Sequence, residues 1–123
     1  MQKIIELCKQ HNTELILIKT PEAKGWDEQK SNKVEEYADI NSLKFIDLNY
    51  DDNIDIDWNV DSQDSGEHLN IYGAEKVAEY LANYLKNNFS SLLDHRNDTK
   101  YSTWNNELVQ YKKEREEEKG KSN

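Results

Sequence analysis

A chain of 123 residues suits one small domain, whose core would remove roughly two thirds of the unfolded surface from water. Its net charge of −9, from 25 acidic against 16 basic residues, repels phosphate backbones and anionic bilayers and argues against nucleic-acid or membrane partners. The single cysteine, Cys8, excludes an internal disulfide and a cysteine-rich metal cage, and no apolar run approaches the length of a membrane span.

Only 35% of residues are hydrophobic, so the core must come from a few concentrated segments. Residues 1–11 space Ile4, Ile5, Leu7 and Cys8 at near-helical intervals, an amphipathic helix rather than a secretion signal, which Asn12 and Thr13 end. The run Leu15, Ile16, Leu17, Ile18 predicts a strand buried on both faces, closed by Pro21 because proline lacks the ladder donor. Residues 27–41 predict a helix with Val34, Tyr37 and Ala38 inward, and residues 44–48 predict a second strand. Strand, helix and strand in this order make a βαβ unit, with parallel strands and a right-handed crossover. Residues 49–69 form an acidic loop leaving the carboxyl end of the second strand, where ligands gather in such sheets. The next helix, 71–89, takes Asn70 as its N-cap. Its periodicity turns Ala74, Val77, Ala78, Leu81 and Leu85 inward and Glu75, Lys76, Glu79, Asn83 and Lys86 to solvent. A last helix over 102–118 carries Trp104, Leu108 and Tyr111 in a stripe expected to pack on the domain, and the charge run 112–121 reads as solvated and frayed.

The chemistry concentrates in Asp64-Ser65-Gly66-Glu67-His68-Leu69-Asn70. A histidine acting as general base needs a carboxylate to fix its tautomer and steady the imidazolium, and this loop supplies both groups. Asp64 is the first candidate partner of His68, with Asp61 and Glu67 as competing acids. His68-Leu69-Asn70 followed by the Gly73-Ala74 step resembles the last sequence block of the SGNH/GDSL hydrolases, in which Asp and His close a Ser-His-Asp triad. The family spacing is D-x-x-H, whereas Asp64 stands one residue further from His68, with Gly66 available to absorb the extra residue in a turn. Leu93, Asp94, His95 and Arg96, then Asp98, Tyr101, Trp104, Leu108 and Tyr111, resemble the C-terminal extension of a cell-envelope subgroup of that family. This subgroup is related to proteins that move acyl groups such as D-alanine or acetate onto wall polymers.

The resemblance covers roughly residues 15–111. It implies a flavodoxin-like, three-layer α/β arrangement with two parallel strands flanked by helices, in which 1–93 is the C-terminal portion of an SGNH-like domain and 94–123 a helical extension. It further implies His68 as general base and then acid, Asp64 as its orienter, an acyl-ester substrate, no metal or organic cofactor, and an extracytoplasmic envelope location for the parent protein. The family's Gly-Asp-Ser turn and Gly-x-Asn-Asp block do not occur here, nor does Gly-x-Ser-x-Gly. The chain therefore reads as the C-terminal half of such a domain, lacking nucleophile and oxyanion hole and inactive alone. Its expected partner is the missing N-terminal half or a second copy, the latter pairing through the strand edge at 15–18 as a homodimer.

Two rival readings remain. Asp51, Asp52, Asp55, Asp57, Asp61 and Asp64 offer oxygen ligands to calcium, but an EF-hand begun at Asp55 puts Val60 at the turn glycine, and one begun at Asp61 ends on Tyr72. The other rival is a non-catalytic interaction module that pairs through its exposed sheet edge. His11 and His95 read as ordinary polar positions, and Trp58 as a loop anchor rather than the lining of a substrate groove.

Overall fold

The same device feeds both parallel strands in the computed structural model, which describes residues 1–121. Helix α1 (Gln2–Gln10) is followed by Asn12 at φ 51°, and helix α2 (Glu28–Ile40) by Ser42 at φ 55°. A left-handed residue just past a helix end reverses the chain sharply, here into β1 (Ile16–Lys19) and β2 (Lys44–Asp47). Asp27 starts α2 by accepting the Lys30 N–H at 2.8 Å. The strands pair in parallel, from Ile16 opposite Lys44 to Lys19 opposite Asp47. The fold is thus mixed α/β, with four helices and a small two-stranded parallel sheet, and helix outweighs strand. Among the described residues no helix is long and apolar enough to cross a membrane.

At the carboxyl ends of these strands the two following loops are stitched together. Asn49 accepts the Glu22 N–H at 2.8 Å and donates its amide to the Glu22 carbonyl at 2.6 Å. Asp47 accepts from the Trp26 indole at 2.7 Å, the Ser31 hydroxyl at 2.6 Å and the Asn49 N–H at 3.0 Å. This saturated carboxylate ties α2 and both loops to the end of β2.

The sequence reading is corrected in four places. Residues 49–69 are not wholly loop: β3 (Ser62–Gln63) and β4 (His68–Leu69) pair antiparallel, Gln63 opposite His68. Helix α3 (Ile71–Asn88) faces the core with Gly73, Val77, Tyr80, Leu81 and Tyr84, whereas Ala74, Ala78 and Leu85 are exposed. The reason is local, because Gly73 lies against the backbone of Asp61 and fixes the helix's rotation: a Cβ there would stand 2.3 Å from the Asp61 carbonyl oxygen. Third, β1 is not buried on both faces; Ile18 is 42% exposed, since a sheet of two strands has too little cover. Finally, helix α4 (Ser102–Lys121) leaves Trp104, Leu108 and Tyr111 exposed rather than packed on the domain, and its charged stretch is tied to α3. Lys119 Nζ pairs with Glu75 Oε2 of α3 at 2.6 Å and lies 4.8 Å above the Tyr72 ring. Arg115 Nε lies 3.2 Å from Glu75 Oε1, in ionic contact though not aligned for a hydrogen bond. Glu75, expected to face water, is the post to which α4 is tied.

The core itself is small. Ile46, Leu48 and Val77 are buried together, with Ile16, Ile54, Leu69 and Leu81 packed around them. Replacing Gly73 with alanine is expected to destabilise the fold by roughly 1–3 kcal/mol in a urea titration, because the clash with Asp61 outweighs the gain in helix propensity. Gly120→Ala, with open space around it, is expected to be neutral or slightly stabilising in the same measurement.

Candidate functional site

The acidic loop is held against α3 by a buried carboxylate. Asp61 is 1% exposed, and its Oδ2 accepts from the Asp57 N–H at 2.8 Å and from Lys76 Nζ at 2.5 Å. Hydrogen bonding to Asp61 holds the Lys76 ammonium above its ordinary pKa, against the opposing effect of desolvation. Lys76 Nζ also donates to the Asp55 carbonyl at 2.9 Å. Asn70 completes the clasp. Its Oδ1 caps α3 by accepting from the N–H groups of Tyr72 and Gly73, while its amide donates to the carbonyls of Val60 and Ser62 at 2.6 and 3.2 Å. Its own N–H donates to the Asp61 carbonyl at 3.0 Å. The short β3–β4 pair is thereby fixed at the N-terminus of α3.

Between these strands the chain makes a tight turn, with Asp64, Ser65 and Gly66 at φ 53°, 58° and 92°. Two consecutive non-glycine residues in the left-handed region are unfavourable and persist because the flanking clasp determines them. Gly66 is required on two counts: its own positive φ, and a Cβ there would stand 2.6 Å from the Cβ of Ala23. Its carbonyl accepts the Ala23 N–H at 3.0 Å, which sets the turn against the loop leaving β1 at the carboxyl edge of the sheet. Trp58 lies beside Gly66, and its carbonyl accepts the Ser62 hydroxyl at 2.5 Å.

The turn brings Asp64 and His68 together, with Oδ2 3.1 Å from Nδ1. Of the competing acids, Asp61 is committed to Lys76 and the Asp57 N–H, and Asp64 is the acid that meets the ring. A carboxylate accepting at Nδ1 favours the tautomer with its proton there and leaves Nε2 as the basic nitrogen. Both side chains face water, at 69% exposure for His68 and 59% for Asp64, so the bare pair is weakly held. Among the described residues no serine, threonine or cysteine is hydrogen-bonded to the ring. The arrangement leaves Nε2 of an exposed imidazole facing water, with its other ring nitrogen held by Asp64.

The calcium reading finds no site. Among the described residues no three His, Cys, Asp or Glu side chains converge to hold a metal ion. The loop's acids are drawn to separate partners instead: Asp57 to the Asn59 N–H, Asp61 to Lys76, Asp64 to His68 and Asp51 to the Tyr80 hydroxyl. Tyr80's hydrogen bond lowers the Asp51 pKa, while burial first and Asp51 second push the Tyr80 phenol up to about 12. The His95 ring packs against Tyr101 at a tilt of 43°, with centroids 4.6 Å apart, and its Nδ1 lies 3.6 Å from Asp98 Oδ2.

Sequence reasoning missed Lys76 and Tyr80 as partners of the acidic loop. Lys76 sits at i+3 from Gly73 on what periodicity assigns to the solvent face, and its long stem reaches back to Asp61. A lysine six residues after the Asn70 cap, downstream of the six aspartates of the acidic loop, was the available signal.

At neutral pH, nitrogen NMR of the His68 ring is expected to show the proton predominantly on Nδ1. Asp64→Ala should shift the balance toward the Nε2-protonated tautomer that free imidazole side chains prefer, and an unchanged spectrum would mean the contact does not persist in solution. Tyr80 holds its proton more tightly folded than unfolded, so its contribution to stability is complete below the ordinary phenol pKa of about 10 and is lost as pH rises through about 12. An alkaline absorbance titration should therefore show a late-ionising tyrosine that disappears in Tyr80→Phe. Asp51 works in the opposite sense. Its contribution is present above the ordinary carboxylate pKa and lost as pH falls through the lower folded value.

Compared with known proteins, the chain matches no protein-family model, no curated protein and no solved structure.

Proposed function

We propose that this chain supplies the acid–base half of a Ser-His-Asp acyl-transfer centre, with the nucleophile and oxyanion hole contributed by another polypeptide segment. The observation that carries the reading is the Asp64–His68 contact at Nδ1, on a turn set against the carboxyl edge of a parallel sheet. In the reaction, His68 Nε2 takes the proton of a serine hydroxyl as that oxygen attacks an acyl ester, then returns it to the leaving alcohol. Asp64 keeps the ring in the competent tautomer and stabilises the imidazolium. Water or an acceptor hydroxyl then attacks the acyl-serine with His68 as base, giving hydrolysis or O-acyl transfer.

The resemblance of His68-Leu69-Asn70 and of the 93–111 tail to SGNH/GDSL enzymes of the cell envelope supports this class and an extracytoplasmic parent acting on wall polymers. It also favours a flavodoxin-like three-layer parent, in which further strands extend the β1–β2 pair and cover the exposed turn. Burial of Asp64 and His68 by that segment would strengthen a pair that is weak in water.

The test compares the chain alone, its His68→Ala variant, and each combined with the polypeptide encoded immediately upstream, using small activated esters. The chain alone should turn over no faster than His68→Ala. The combination should be active, with His68→Ala lowering kcat on the order of 10⁴-fold and Asp64→Asn by a similar or smaller factor. Burst kinetics from the isolated chain, lost on substituting one of its own serines, would overturn the proposal by revealing a nucleophile within it.

A further inference from the structure

Helices α3 and α4 run antiparallel, tied at one end by the ion pairs of Glu75 with Arg115 and Lys119. At the other end they part around a groove of about 1000 Å³, lined by Leu85, Leu92, Leu93, Trp104, Leu108 and Tyr111 among others. These six are the groove's large apolar side chains that remain exposed, from 40% for Leu85 to 72% for Leu93. In a chain with a third of its residues charged, so much apolar surface at one place requires an explanation.

We propose that this groove is the contact face of a symmetric homodimer, in which Trp104 of each copy inserts into the groove of the other. Charge is the first argument. The chain carries −9 overall, yet within residues 82–111 Lys86, Arg96 and Lys100 balance Asp94, Asp98 and Glu107. Two copies can therefore approach at this face without opposing their acidic surfaces, and nowhere near the acidic loop is that so. Moreover, Arg96 Nε donates to both Asp94 oxygens at 2.8 and 2.9 Å, so these two rim charges are already paired within each copy.

Area is the second argument. The exposed surface of the six side chains is on the order of 600 Å² per copy, close to the roughly 800 Å² per partner of a standard stable interface. Shape is the third, since the groove is concave and apolar and Trp104 stands exposed among its lining residues. Trp104 is 71% exposed and is the residue type that most often dominates such contacts. The inference does not rest on the acyl-transfer reading. His68 lies shortly before the first residue of α3 and the groove beside its last turns, about 20 Å further along the helix.

Sedimentation velocity of the full chain across a wide concentration range tests the proposal. The mass is expected to double as concentration rises, and Trp104→Glu to raise the dissociation constant at least about thirtyfold. Circular dichroism of that variant should be unchanged, because the side chain is exposed, and Trp104→Phe should retain most of the association. A monomer at every concentration overturns the proposal. So does a dimer indifferent to Trp104→Glu, which would put the contact at another surface such as the β1 edge, and so does a monomer whose Trp104 fluorescence shifts on adding laurate, which would assign the groove to an apolar ligand.

Discussion

The buried carboxylate of Asp61 is the point on which the arrangement of the chain depends. It lies where an acidic loop, a two-residue strand and the start of a helix meet, and it is answered by the Asp57 N–H and by Lys76. A carboxylate removed from water without such partners is strongly unfavourable, so the loop closes on α3 in the one way that supplies them. Asn70 performs the complementary task on the backbone, capping the helix with its oxygen and holding the loop's carbonyls with its amide. Gly73 lets the two segments come close enough for both sets of bonds to form.

From that clasp the placement of Asp64 and His68 follows. Pinning β3 and β4 leaves four residues to reverse the chain, and the reversal requires left-handed backbone at Asp64, Ser65 and Gly66. Asp64 consequently turns back onto the His68 ring, and the Gly66 carbonyl locks the turn to Ala23 beyond β1. Strain in the turn and polar closure behind it fix the backbone that carries the pair, while the two side chains themselves face water.

Electrostatics distribute the rest of the chain's acidity. Despite −9 overall, several of the loop's carboxylates have a donor, from the Tyr80 phenol to the Lys76 ammonium, and this pairing spreads the loop's negative charge over separate partners. The same logic operates between the last two helices. Glu75 faces Arg115 and Lys119, which fixes one end of α4, while its apolar end lies open around Trp104. Helix α4 is thus held by charge at one end, with its hydrophobic stripe lining an open groove beside α3 at the other.

The sequence by itself determined the order and kind of the principal elements, because these rest on local physics. The four-residue apolar run of β1, the 3.6-residue periodicity of α3, the Asn70 cap and the proline after β1 act over a few neighbouring positions and are legible one segment at a time. The proximity of Asp64 to His68 was legible for the same reason, since only four residues separate them. Tertiary structure alone decided which side of α3 faces inward, which acid is buried, and where α4 rests. Each of those outcomes depends on groups distant in the chain: Gly73 against the Asp61 backbone, Lys76 reaching Asp61 across fifteen residues, and Lys119 reaching Glu75 across forty-four. Periodicity registers how polar a position is but carries no record of which distant charge will meet it, and in a chain this polar the pairing of charges, more than the burial of apolar side chains, fixes the final arrangement.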